Sequence, residues 1–171
     1  PHLRDMSAIA ATIAAAPIAA MTLVQLLRMV GQLPPEQGLT AESLAYGVLQ
    51  AGPEFKAWLT DRERTPAASH EAGHAVEVDR QESDLILTLN RPGNRNALSI
   101  EMRDALTEAL QLALVDETIT RVNLSGRGKC FCVGGDLAEF GQASDPASAH
   151  WVRSVRSPAR AALLGNRKLH V

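Results

Sequence analysis

Cysteine is nearly absent. The 171 residues contain two, Cys130 and Cys132, too close together as a C-x-C pair for an easy mutual disulfide and too few for a structural zinc site. They read as free thiols, which excludes a disulfide-stapled fold and predicts a reducing, cytoplasmic setting. Charge of one sign is lacking too: 17 Lys and Arg stand against 19 Asp and Glu, a formal net charge of -2, and like charges do not gather in blocks. That balance removes the electrostatic footprint of a nucleic-acid binder or of a protein held on an anionic membrane. Long apolar runs of the membrane-spanning kind are missing. The uncharged stretch Met6 to Gln25 is dominated by Ala and interrupted by Pro17, and Asp5 spoils a basic leader, so a helix is predicted there rather than a signal or anchor. Internal repeats are not visible. What is present, 46% hydrophobic and 21% charged residues in roughly one domain's length, is ordinary globular material. The chain opens on Pro1, which is compatible with a start further upstream.

Residues 1–65 are rich in Ala and Leu and predict about four short helices. Met6, Ile9, Ile13 and Ala16 share one helical face up to Pro17, and Met21, Val24, Leu27 and Val30 continue toward Gly31. Pro34-Pro35 halts that pattern, Thr40 is placed to cap a helix carrying Leu44, Val48 and Ala51, and Pro53 opens another with Phe55, Trp58 and Leu59 inward. Residues 66–75 read as a linker, entered through the Pro/Ala/Ser stretch Thr65 to Ser69.

From residue 76 the period changes, and 76–171 predict an α/β core. Val76 and Val78 alternate with Glu77 and Asp79, and Leu85 to Asn90 follows a polar connector without Gly, which together give a hairpin. Ser99 is placed to cap a helix from Ile100 to about Val115, with Met102, Leu106, Ala109, Leu110, Ala113 and Leu114 as its buried stripe. Arg121 to Ser125 returns as a strand, completing a right-handed parallel βαβ pattern. A helix start at Leu137, a long helix over Asp145 to Leu164 with Trp151, Val155 and Ala162 inward, and a strand opening at Leu169 to Val171 complete the reading. The open edge of such a sheet calls for covering by further chain or a partner.

The segment richest in chemistry is Phe131-Cys132-Val133-Gly134-Gly135-Asp136-Leu137, between a strand and a predicted helix. Two glycines let backbone pass close to a ligand, and amide N–H groups at a helix start are free donors suited to an oxygen gaining negative charge. The bland alternative is a tight turn with Asp136 capping a helix. A competing motif is His70-Glu71-Ala72-Gly73-His74, a literal H-E-x-x-H that would place two imidazoles and a general base for a zinc hydrolase. That chemistry needs about two turns of helix, whereas Pro66, Gly73 and the alternating run after Ala75 leave little more than one. A third ligand is also unassigned among His2, His150, His170 and distant acids, so no metal site is predicted. Glu101, Glu108, Glu117 and Glu139 read as solvated helix faces, and Cys132 as a small buried apolar group.

Taken together with Leu87-Thr88-Leu89-Asn90-Arg91-Pro92, Asn96-Ala97-Leu98 and Val122-Asn123-Leu124-Ser125-Gly126, the diglycine segment resembles the first half of the crotonase (enoyl-CoA hydratase/isomerase) superfamily over residues 76–171. The resemblance implies an α/β, crotonase-like ββα-type core, incomplete in this chain and preceded by a helical segment. Ile9 to Ala16, Leu26 to Arg28, Leu39 to Ser43 and Pro53 to Leu59 are similar to the helical tail that ordinarily closes such chains, an order suggesting circular permutation. An acyl-CoA thioester is the implied substrate, with no covalently bound cofactor. Its carbonyl would be held by two backbone N–H groups that stabilise an enolate. Gly135 N–H would be the first donor, Val133 and Gly134 would lie beside the CoA adenine, and Arg95, Ala97 and Leu98 would line the CoA groove. The second donor and the acid/base carboxylates would lie beyond Val171, so no catalytic carboxylate is assigned. Implied partners are a homo-oligomer, trimer or hexamer, or a complementary chain carrying the rest of the core. A non-catalytic interaction module on the same fold is the alternative, and hydratase, isomerase, dehalogenase and hydrolase chemistry stay undivided.

Overall fold

The computed structural model describes residues 3–61, 72–143, 145–165 and 168–170. The chain divides into two compact units, Pro1–Glu63 with Ala143–Trp151, and Arg64–Gln142 with Val152–Val171. Most of the predicted linker, including His70 and Glu71, lies outside the described residues.

In the first unit, helices α1 (Leu3–Ala15), α2 (Pro17–Val30), α3 (Pro35–Ala51) and α4 (Pro53–Asp61) follow one another. Three of the four open on proline, whose fixed φ suits the first turn and whose missing N–H is not needed there. Pro35 therefore begins α3 upstream of the expected cap. Thr40 lies inside the helix and turns its Oγ1 back onto Glu36 O at 3.1 Å. Ala16, at the entrance to α2, has no side chain able to cap. The Glu54 carboxylate of α4 takes over, accepting Ile18 N–H at 2.8 Å and Ala19 N–H at 2.9 Å. Residues 146–150 pack on α3 where Ser43 and Gly47 are small. Pro146 O lies 3.2 Å from where a Gly47 Cβ would stand, and His150 Nδ1 is 2.9 Å from Ser43 Oγ. The apolar side chains Met6, Ile9, Ile13, Met21 and Leu27 are exposed. Among the described residues no single helix is long and apolar enough to cross a membrane, and α1 and α2 meet at a bend of 109°.

The second unit is built on a four-stranded sheet of order β1-β2-β3-β4, with β1 at Val76–Gln81, β2 at Asp84–Leu89, β3 at Arg121–Gly126 and β4 at Leu169–His170. β1 and β2 form an antiparallel hairpin from Val76↔Leu89 to Gln81↔Asp84. Its turn dispenses with glycine because Glu82 takes φ 53, held by Arg80 Nε donating to Glu82 O at 2.8 Å. β2 and β3 are parallel, Leu85 beside Val122 and Leu87 beside Leu124, so the connection between them must cross over one face of the sheet. That crossover is α5 (Ile100–Val115), capped by Ser99 Oγ accepting Met102 N–H at 3.2 Å, as its sequence predicts. The alternation of β2 buries Leu85, Leu87 and Leu89 against Met102, Leu106, Ala109, Leu110 and Ala113. Each such large side chain contributes about 1.5 to 3 kcal/mol by leaving water.

The expected long helix over Asp145 to Leu164 is two helices, α6 (Pro146–Val155) and α7 (Pro158–Leu164). Pro158 cannot donate its backbone nitrogen to α6, and Ser157 Oγ restarts the chain as a cap, accepting Arg160 N–H at 3.2 Å. The break leaves Trp151 and Val155 exposed rather than inward. The expected helix at Leu137 is a single 3-10 turn, Leu137–Glu139.

At the end of α5, Asp116 accepts from Thr118 N–H at 2.9 Å, from the Thr118 hydroxyl, and from Arg80 Nη1 at 2.7 Å. The Thr118 hydroxyl first, then the Arg80 guanidinium, lower its pKa from 3.8 to about 2. A carboxyl depressed in the folded state stabilises above its unfolded pKa, and that contribution fades as pH falls through the folded value. The Asp116 carboxyl carbon is therefore expected to titrate near pH 2 by NMR, with part of the chain's stability lost between the ordinary value of 3.8 and about 2. Arg80→Ala should move the midpoint upward, and an unmoved midpoint would remove Arg80 from the account.

Candidate functional site

Two loops leave the same end of the parallel strands: residues 90–99 after β2 and 127–136 after β3. Carboxyl ends of neighbouring parallel strands are where open α/β sheets place ligands. The first loop folds around Asn96, whose side chain is wholly buried. Asn96 Oδ1 accepts Arg91 N–H at 2.8 Å, and Nδ2 donates to Arg127 O and Cys130 O, both at 2.9 Å. One amide thus closes the first loop and ties it to the second. The backbone bends sharply to allow this, with Arg95 at φ 50 and Asn96 at φ 53, a left-handed region that Asn tolerates better than most residues.

The motif residues just upstream serve the scaffold. Arg91 is buried, and its guanidinium donates to Gly73 O at 2.9 Å, His74 O at 3.1 Å, Asn90 O at 2.7 Å and Glu101 Oε1 at 2.8 Å. This pins the segment leading into β1 as irregular backbone. Gly73 has φ +87 and β1 begins at Val76, so His74 does not stand on the helix that an H-E-x-x-H zinc site requires. Among the described residues no three His, Cys, Asp or Glu side chains gather to hold a metal.

The diglycine turn is joined to the first loop by a parallel bridge between Leu98 and Gly135. Leu98 N–H donates to Gly134 O at 2.8 Å, and Asp136 N–H donates to Leu98 O at 3.2 Å. The peptide that carries Gly134 O also carries Gly135 N–H, and in a trans peptide the two point in opposite directions. Holding Gly134 O toward Leu98 therefore aims Gly135 N–H away from it. Gly135 is exposed, and its N–H has no hydrogen bond among the described residues. Gly134 reaches this geometry at φ +90, open only to glycine without strain, and its own N–H meets Cys132 Sγ at 3.3 Å. The chain continues past Asp136 as a 3-10 turn of three residues, so the expected support from a helix dipole does not reach the donor.

The other sequence candidates differ in burial. Val133 is 45% exposed beside Gly134, and Arg95 is exposed. Ala97 is buried and Leu98 is partly buried, packed against the core. Cys132 is half-buried against that core. Three acids near the turn are already committed. Glu101 pairs with Arg91, Asp136 accepts from Asn94 Nδ2 at 2.8 Å and from Ala138 N–H at 2.9 Å, and Glu139 accepts Ile100 N–H at 2.6 Å. Glu139 is thus a second cap for α5 instead of a solvated helix face. Burial pushes its carboxyl above the ordinary range, opposed by the Ile100 bond and assisted by the Asp136 charge. The apolar cleft of about 530 Å³ between α2 and α3, lined by Leu26, Met29, Leu44 and Val48 among others, holds no titratable group and belongs to the helical unit.

Known proteins share the loop-bearing part of this chain. The sequence pattern of the family described as enoyl-CoA hydratase/isomerase matches residues 85–157. An enoyl-CoA hydratase of Alternaria alternata is 31% identical over 100 residues, 58% of this chain and 34% of that protein. A 3-hydroxyisobutyryl-CoA hydrolase of Arabidopsis thaliana is 43% identical over 63 residues, 37% of this chain and 17% of that protein. The crystal structure of an enoyl-CoA hydratase from Mycobacterium tuberculosis is similar at 44% identity and a TM-score of 0.39, covering 41% of this chain and 32% of that one. The chain thus spans about a third or less of the length of each.

Proposed function

We propose, from the premise that the chain belongs to the crotonase (enoyl-CoA hydratase/isomerase) superfamily and carries part of its fold, that its diglycine turn grips the thioester carbonyl of an acyl-CoA. Gly135 N–H is one of the two donors that stabilise the enolate oxygen. The second donor and the acid and base come from outside residues 1–171, on further chain or a complementary chain. The observation that supports this reading is an exposed N–H, free of partners among the described residues and held outward by the Leu98 bond to the same peptide. A fixed donor of this kind is worth about 3 to 4 kcal/mol to a developing oxyanion. The commitment of Glu101, Asp136 and Glu139 to structural hydrogen bonds agrees with proton transfer by groups elsewhere. The two relatives are named for hydration and for hydrolysis, both of CoA compounds, so the reading stops at the shared thioester clamp. Self-association, as trimer or hexamer, belongs to the same proposal, supported by the exposed apolar side chains of α1 and α2.

Gly135→Pro tests the clamp because it deletes the N–H. Titrating the labelled chain with butyryl-CoA should shift the Gly135 amide in the parent, and the proline variant should bind about tenfold more weakly, the worth of one hydrogen bond to a carbonyl. Gly135→Ala keeps the donor, although its Cβ would lie 3.2 Å from Phe140 Cε1, and should bind close to the parent. Equal binding by the proline variant and the parent would sink the proposal.

A further inference from the structure

The Gly134–Gly135 peptide is held directly by Leu98 N–H on Gly134 O at 2.8 Å, with a weak contact of Cys132 Sγ to the same oxygen at 3.9 Å. A Cβ on Gly134 would meet no heavy atom within 4 Å, so sterics do not hold this bend, and a flipped peptide would present Gly134 C=O where the proposed donor stands. Orientation therefore depends on that direct bond and on the hydrogen bonds flanking the pair, which keep Leu98 and the turn in register. On the upstream side, the contact of Gly134 N–H with Cys132 Sγ at 3.3 Å is to a weak sulfur acceptor. On the downstream side the grip is double. Asp136 N–H bonds Leu98 O at 3.2 Å, and the Asp136 carboxylate is held by Asn94 Nδ2 at 2.8 Å across 42 residues of sequence. Asn94 is itself fixed at the end of the 3-10 turn Pro92–Asn94, its N–H on Arg91 O at 3.1 Å and its C=O accepting Ala97 N–H at 3.0 Å.

We infer that Asn94 is a positioning residue, latching Asp136 so that the Gly134–Gly135 peptide keeps its N–H outward. Its consequence for ligand rests on the acyl-CoA reading above. The latch works because Asn offers a neutral donor of the right reach. Asp at position 94 keeps the shape but sets two carboxylates against each other, and such a pair separates unless it shares a proton. The other ionisable groups in this neighbourhood are Glu139, which senses Asp136, Arg103 and Asp104 on α5, which act on Glu139, and Arg95 beside Asn94. All are common to parent and variant, so the parent supplies the baseline.

The test compares the Gly135 amide and butyryl-CoA affinity between about pH 4.5 and 7.5 in the parent, Asn94→Asp and Asn94→Ser. In Asn94→Asp the Gly135 amide should broaden by exchange and affinity should fall about tenfold at the upper pH, with both recovering at the lower pH relative to the parent. Asn94→Ser, too short to reach and uncharged, should show the same loss at every pH. A Gly135 amide that is sharp and parent-like in both variants throughout would overturn the inference. The amide readout needs no ligand. Failure of the parent to bind butyryl-CoA therefore counts against the thioester reading, while an undisturbed amide counts against Asn94.

Discussion

Asn96→Ala is expected to lower the unfolding free energy of the chain by about 3 to 6 kcal/mol, one of the two largest effects expected of a single substitution around the candidate site. The deleted amide leaves Arg91 N–H, Arg127 O and Cys130 O without the partner they have in the folded chain. Each stranded group costs about 1 to 3 kcal/mol, and alanine at φ 53 adds about 1 more. The sum is reduced where the loosened loops let water reach the carbonyls. Asn96→Asp separates geometry from chemistry. It keeps the acceptor for Arg91 N–H but turns an anionic oxygen toward two carbonyls, so it should be at least as damaging at neutral pH and partly recover in acid, where protonation restores one donor. Urea unfolding followed by circular dichroism reads both variants. A loss below about 1 kcal/mol for Asn96→Ala would show that the loops are held together by something other than this amide.

That residue also marks where sequence reading stops. The crossover helix was legible because its signals are local: Ser99 caps three residues ahead, and the stripe from Met102 to Ala113 repeats at helical spacing. β1 was legible by alternation, β2 as a β-rich run after a polar connector, and the diglycine bend by the absence of side chains. Asn96 entered only as a letter in a motif, because its partners lie 5, 31 and 34 positions away and no periodicity encodes them. Asn94 was missed and Glu139 assigned to a solvated face for the same reason, since they reach 42 and 39 residues to Asp136 and Ile100. The left-handed φ at Asn96 was the one local hint, since Asn is among the few residues that tolerate it. The division of Asp145 to Leu164 at Pro158 was readable in principle. Proline inside a helical pattern breaks it, and the apolar spacing of Trp151, Val155 and Ala162 outweighed that signal although Trp151 turns out 64% exposed.

Gly126→Ala should rival Asn96→Ala, for a reason unrelated to backbone freedom. A Cβ there would stand 2.7 Å from Phe131 O, 2.9 Å from Asn96 Nδ2 and 3.1 Å from Phe131 Cα, and two of these three atoms are backbone that no rotamer change can move aside. Relief requires the second loop to retreat from β3, which drags Arg127 O and Cys130 O off the Asn96 amide. Overpacking of this kind costs about 1 to 3 kcal/mol, and the lost hydrogen bonds raise it to about 3 to 5. Gly134 gives the contrast: its φ of +90 is the more unusual, yet a Cβ there meets open space, so Gly134→Ala incurs backbone strain alone, about 1 to 2 kcal/mol. The two substitutions should therefore rank by crowding rather than by dihedral angle in urea unfolding. They should reverse at the ligand, where Gly134→Ala disturbs the peptide bearing the Gly135 donor in a chain that stays folded. If Gly134→Ala proved the more destabilising, crowding of the second loop against β3 would not be what makes glycine necessary at position 126.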